Sequence, residues 1–129
     1  MSPIYSICIS NYNMGDTLDA CLRSIICQID STFEIIVVDD GSTDNSLKVL
    51  ESLQLEFPSL RYIPLSRDPR RKLGETRNVS IKAARGKYCI IHIDADDIWD
   101  YFIPVYANLF DDIATRLGTD DFMLSGQIA

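Results

Sequence analysis

The chain has 129 residues, 47% of them apolar and 24% charged, and carries a net charge of −7. That length is enough for one domain with a real core, and the acidic balance argues against nucleic-acid binding and against adhesion to an anionic membrane through this segment. No run approaches the roughly 18 consecutive apolar residues of a membrane span, and Met1 to Tyr5 lacks the basic-then-apolar pattern of a secretion signal.

Residues 4–10 predict a first strand, because Ile7, Cys8 and Ile9 are consecutive and β-prone, as in a strand covered on both faces. Asn11-Tyr12-Asn13-Met14-Gly15 ends it with turn chemistry. A helix is predicted from Asp16 to Gln28, where Leu18, Cys21, Leu22, Ile25 and Ile29 recur at three- and four-residue steps. Phe33 to Asp39 is the clearest strand, and Asp39-Asp40-Gly41 closes it. Ser42 or Thr43 is expected to cap the next helix, with Asp44 suited to its positive end. That helix keeps Leu47, Leu50 and Leu53 on one side and stops before Pro58.

Leu60 to Leu65 reads as a third strand. The basic segment from Ser66 to Lys72 reads as a mobile, solvated loop, Gly74 to Arg85 as a helix, and Lys87 to Ile93 as a fourth strand. This strand ends at Asp94-Ala95-Asp96-Asp97, where Asp97, like Asp100, reads as a cap or a solvated residue. A last helix is predicted from Asp100 or Tyr101 to Leu117 with Pro104 in its first turn. Asp121 to Ser125 looks like a strand that has barely begun, which predicts that the chain is the first part of a longer protein. Strand–helix alternation with short connections implies an α/β fold: a mostly parallel, Rossmann-like sheet with helices on both faces, in a single domain over 1–129. The cysteines, Cys8, Cys21, Cys27 and Cys89, stand singly beside a lone histidine, so they make no zinc site and are expected to be buried thiols of a reduced, cytoplasmic protein.

In parallel sheets, ligands collect at the carboxyl ends of strands. Three of those ends carry Ser10-Asn11-Tyr12-Asn13, Asp39-Asp40 and Asp94-Ala95-Asp96-Asp97. Carboxylates that close repel one another unless a cation or a donor-rich ligand fills the gap, and a hard dication such as Mg²⁺ or Mn²⁺ suits oxygen ligands. The chain has no glycine-rich phosphate cradle, so any diphosphate must be met by metal and side chains, with Arg77 a candidate and Arg67, Arg70, Arg71 and Lys72 of the basic loop candidates after it. An ionised Asp39 only accepts hydrogen bonds, so a base it recognises should present an imide N–H, as uracil, thymine and guanine do. Tyr12 is placed to lie along a base face. His92 precedes the acidic motif by one position on its own face of the strand and reads as a packed core histidine.

These blocks resemble a known family. Ser6 to Asn13, Glu34 to Asp44, Arg77-Asn78 and His92 to Asp97 are together similar to the opening of family-two inverting glycosyltransferases of the GT-A fold. The resemblance implies that Asp39 contacts the base of a nucleotide-sugar, most often UDP, with Ser10 and Tyr12 lining the same pocket and Arg77 holding nucleotide or phosphate. It further implies that Asp94 touches ribose or metal and that Asp96 ligates the Mn²⁺ or Mg²⁺ bridging the diphosphate. The family's catalytic base and acceptor-binding residues come in a second half, here expected beyond Ala129. The chain is thus read as a donor-binding part, inactive alone and prone to self-associate through apolar surface meant for that half. Sugar and acceptor (glycan, lipid-linked or protein) are not specified. Two alternatives stand beside this reading. A receiver-type phosphoacceptor domain would need an acidic pair where the chain has Ser10-Asn11, and a catalytically inactive nucleotide-binding module would not need Asp39, Arg77, Asp94 and Asp96 intact.

Overall fold

The computed structural model describes residues 3–95 and 103–120. Among them, strands β1 (Tyr5–Asn11), β2 (Phe33–Asp39), β3 (Leu60–Pro64) and β4 (Tyr88–Asp94) alternate with helices α1 (Gly15–Ile26), α2 (Ser46–Glu56), α3 (Leu73–Ala83) and α4 (Ile103–Leu117). The predicted strand at 121–125 and the first residues of the predicted last helix lie outside the described residues. Pro104 does fall in the first turn of α4, where its missing N–H costs no hydrogen bond. Helix α2 ends ahead of Pro58, whose ring pushes Phe57 into an extended conformation.

All four described strands run parallel in the order β3-β2-β1-β4. The chain builds outward from β1 through β2 to β3, then crosses back to lay β4 on the other side of β1. That reversal makes the carboxyl ends of β1 and β4 the switch point where a crevice opens.

Alternate residues of the two inner strands face opposite layers. Tyr5, Ile7 and Ile9 of β1 and Phe33, Ile35 and Val37 of β2 pack against Leu18, Cys21, Leu22 and Ile25 of α1, Leu50 and Leu53 of α2, and Ala107 of α4. Each fully buried Leu or Ile there contributes about 1.5–3 kcal/mol. The opposite face, under α3, is partly polar, with Ser6, Cys8 and Glu34 buried beside Thr76 and Ser80. Burial pushes the Cys8 thiol up to about 12, so it stays protonated. The cysteine expectation holds for Cys8 and Cys21 but not for Cys27 and Cys89, which are exposed. Cys27 lies past the packed stripe of α1, and Cys89 sits on β4, beyond the strands that α3 covers.

One feature of the sheet is invisible to residue patterning. Between β1 and β4 the register shifts, with Ile7 opposite Ile90 but Ile9 opposite Ile93. The extra residue in β4 sets Asp94 level with Ser10, one step lower than an unbroken ladder would place it. Asn11 and Asp39 are likewise paired across β1 and β2, so three strand ends finish nearly level.

Candidate active site

The loops after β1 and β2 are locked together by their own side chains. Asp39, 1% exposed, accepts hydrogen bonds from Asn11 Nδ2 at 2.8 Å, from Ser42 Oγ at 2.6 Å and from the Ser42 N–H at 3.0 Å. Ser42 Oγ in turn accepts the Asn13 N–H at 2.9 Å, and Asn13 Oδ1 accepts the Thr43 N–H at 2.8 Å. Asn13 adopts φ 51°, a left-handed conformation asparagine tolerates better than most residues. Ser42 and Thr43 therefore do not cap α2, contrary to expectation, because Asp39 and Asn13 engage them first. The cap position is Asn45, whose side chain makes no capping bond, and the residue before it, Asp44, accepts the Ser46 hydroxyl and N–H and, through its other oxygen, the Gly15 N–H that opens α1. The Ser46 hydroxyl and these amides hold Asp44 below the usual carboxylate range. A side chain at Gly15 would run into Asn45 and Asp44, so only glycine lets the two helix starts approach.

The two aspartates after β2 are neutralised differently. Among the described residues Asp39 meets only neutral donors. Asp40 pairs with Arg67 at 2.9 Å and with Arg71 at 2.5 Å, so its charge is balanced by the basic loop and needs no metal. The loop at 66–72 is accordingly not the freely solvated run the sequence predicts. Arg70, bonded to its neighbour Asp68, fits that expectation, but Arg67 and Arg71 are anchored. Gly41, at φ 72°, permits the approach, since a Cβ there would lie 2.6 Å from the Arg67 backbone. The Arg67 guanidinium stands 4.1 Å from the centre of the Tyr12 ring.

Of the residues the sequence singles out, Asp39 is the most completely held. Tyr12 is 40% exposed at the end of β1, with Arg67 on its ring. Ser10 is half-buried and level with Val38 and Asp94. Arg77 lies about one turn into α3, half-buried. The backbone of Asp94 closes β4, while its side chain, that of His92, and all of Asp96 lie outside what is described. Ala95, however, is buried, and its carbonyl accepts the Thr17 hydroxyl of α1 at 3.1 Å, which ties the start of the acidic motif to the rest of the site.

Among the described residues no cluster of three potential metal ligands forms. The donor set the motif offers is carboxylate oxygen alone, which fits a hard dication. Sequence reasoning passed over Asn11, Asn13 and Thr17. The signal available for the first two was a pair of asparagines flanking Tyr12 directly after a strand, the residue type that bonds neighbouring backbone. Thr17 offered none. Asn11 also carries a buried acceptor, its Oδ1, that has no donor among the described residues.

The sequence profile of Glycosyl transferase family 2 matches residues 6–115. The chain belongs to glycosyl transferase family 2. It is 34% identical over 116 residues to an uncharacterized glycosyltransferase, YibD, of Escherichia coli K12, covering 90% of this chain and 31% of that protein. It is 32% identical over 96 residues to the Escherichia coli UDP-Glc:alpha-D-GlcNAc-diphosphoundecaprenol beta-1,3-glucosyltransferase WfaP, covering 74% of this chain and 36% of that one. The crystal structure of S. aureus TarS 1-349 in complex with UDP-GlcNAc aligns at a TM-score of 0.74 and 28% identity, covering 87% of this chain and 32% of that one. The fold is that of GT-A glycosyltransferases. This family 2 chain spans about a third of the length of these relatives. No helix among its described residues is long and apolar enough to cross a membrane.

Proposed function

We propose that this chain is the nucleotide-sugar-binding part of an inverting, metal-dependent glycosyltransferase whose donor is a UDP-sugar. The observation that carries the reading is Asp39: a carboxylate buried at the carboxyl end of an inner strand, beside the switch point, and held by neutral donors alone. Among the described residues its Oδ2 accepts one hydrogen bond, from the Ser42 N–H, which leaves acceptor capacity for an imide N–H of uracil. The donorless Oδ1 of Asn11 next to it also favours a donor-bearing ligand. The family relatives that name a UDP-sugar, and the neighbour that holds one, support the choice of nucleotide.

In this reading Ser10 and Tyr12 line the base pocket, Arg77 meets the diphosphate, Asp94 contacts ribose or metal, and Asp96 ligates Mn²⁺ or Mg²⁺. The ion, when bound, supplies a Lewis acid that offsets charge growing on the leaving diphosphate. The chain's own work is to fix the donor: Asp39 sets the base, and the Thr17–Ala95 bond sets where the acidic motif begins. Inversion requires an acceptor hydroxyl, stripped of its proton by a carboxylate base, to attack the opposite face of the sugar. We assign no residue of this chain to that base; Asp120 stands too near the acidic motif in sequence to carry the role over.

The test is calorimetric titration of the chain with nucleoside diphosphates. UDP should bind more tightly than ADP, and more tightly with Mn²⁺ or Mg²⁺ than in chelator. Equal affinity for ADP would remove the base-reading role of Asp39, and equal affinity in chelator would remove the metal.

A further inference from the structure

We propose that Arg67 is a further residue of the nucleotide site: its guanidinium is the resting occupant of the Tyr12 ring face, and a base must displace it to stack there. The inference rests on the base-binding reading above and adds what fills the pocket before the donor arrives.

Three observations converge on it. The Arg67 backbone lies against Gly41, two residues past Asp39, at a distance that would leave no room for a Cβ. Its guanidinium reaches across to the end of β1 and covers the Tyr12 ring at 4.1 Å. Its Nη1 is bonded to Asp40 at 2.9 Å, which tethers it there. A base that reaches Asp39 and lays its face on the Tyr12 ring where the guanidinium now lies has to take that place from it. Two flat groups cannot share one ring face at stacking distance.

The chemistry suits an exchange. Guanidinium and nucleobase both stack on aromatic faces, with comparable strength at a partly exposed site. Arg67 is 41% exposed, so it can swing into solvent, and Arg71 still neutralises the Asp40 it leaves. Once displaced, it keeps its charge beside the pocket, held there by its backbone against Gly41. Lys72 and Arg71, in the same loop, do not cover Tyr12 and so do not take this part.

The purified 129-residue chain, its Arg67→Ala variant and its Arg67→Lys variant are titrated with uridine, which has the base but no phosphate, and then with UDP. Uridine should bind Arg67→Ala about two- to fivefold more tightly than the wild type, the range expected from losing one cation–π stack. Arg67→Lys, which keeps the charge but not the planar stack, should fall between them. A second readout needs no variant: Arg67 side-chain resonances, ring-current shifted by Tyr12, should move to random-coil positions as uridine saturates the wild type. Equal or weaker uridine binding by Arg67→Ala, or Arg67 resonances that stay shifted at saturation, overturns the displacement and leaves the nucleotide reading standing. Absence of both uridine and UDP binding in all three proteins overturns the nucleotide reading together with this one.

Discussion

Strand β2 buries a carboxylate near each end, and the two are treated in opposite ways. Glu34, at the amino end, is 5% exposed and accepts the Ser6 hydroxyl at 2.5 Å, the Arg85 N–H at 2.7 Å and the Arg61 guanidinium at 2.8 Å. Arg61 continues to the Ala83 carbonyl, and Ser6 Oγ takes the Gly86 N–H, so β1, β2, β3 and the end of α3 meet on one acid. Asp39, at the carboxyl end, has hydrogen bonds but no paired cation. A carboxylate neutralised by a close guanidinium is a fastening; one left with neutral donors keeps its charge available. The difference lies in what the neighbouring loops bring, since both acids sit on one strand at similar burial.

The comparison breaks first at Glu34. Glu34→Ala should cost about 3 kcal/mol or more in urea denaturation, because it leaves Arg61, the Arg85 amide and the Ser6 hydroxyl without their acceptor, yet leave UDP affinity within about twofold. Loss of UDP binding in a folded Glu34→Ala chain would contradict the division of labour. The pH dependence has the same origin. Burial tends to raise Glu34, but the Ser6 hydroxyl, the Arg85 amide and Arg61 outweigh it and hold the folded carboxyl below its ordinary value of 4.5. The unfolded chain therefore takes up this proton first. The stability Glu34 contributes is full above that value and drains away as the pH falls through the lower folded value. Glu34→Gln should flatten the acid limb of a stability-against-pH curve; an unchanged limb would remove Glu34 from it.

At the other end of the strand the expected loss is in binding. Asp39→Ala should weaken UDP about 10- to 100-fold, the worth of one hydrogen bond to a charged group, while inorganic diphosphate is held as before. Equal losses for both ligands would mean that Asp39 only shapes the loop. The smallest effect falls on the third strand end. Thr17→Val should cost about 1 kcal/mol by thermal denaturation and reduce the extra UDP affinity that Mn²⁺ confers, with metal-free binding unchanged. A full Mn²⁺ increment in Thr17→Val would show that the Ala95 tether does not position the acidic motif.

Much of the frame was legible. The run from Phe33 to Asp39 was read as a strand with the limits the structure gives it, because unbroken β-branched residues leave few other choices. The helical stripe of α1 is likewise visible in its leucine and isoleucine spacing, and that of α2 at Leu50 and Leu53, whereas Leu47 is exposed. What escaped were pairings between segments. Ser42 looks like a helix cap when read beside Asp44, and only the approach of Asn11 and Asn13 turns it toward Asp39. Arg67 and Arg71 look solvated when read as a basic run, and only the folding of that loop over Gly41 delivers them to Asp40. Asp94 was placed at a strand end, but its level relative to Ser10 depends on a shifted register that leaves no mark in residue type.

The sequence by itself determined the alternation of strands and helices, the family, and the identity of the acids offered at the strand ends, since periodicity and motif spacing are properties of the chain alone. Tertiary structure decided which of those acids is spoken for. Glu34 and Asp40 receive arginines from segments about 27 to 31 residues away, and among the described residues Asp39 receives none. Charge compensation is a matter of distance in space, and no one-dimensional pattern encodes that distance.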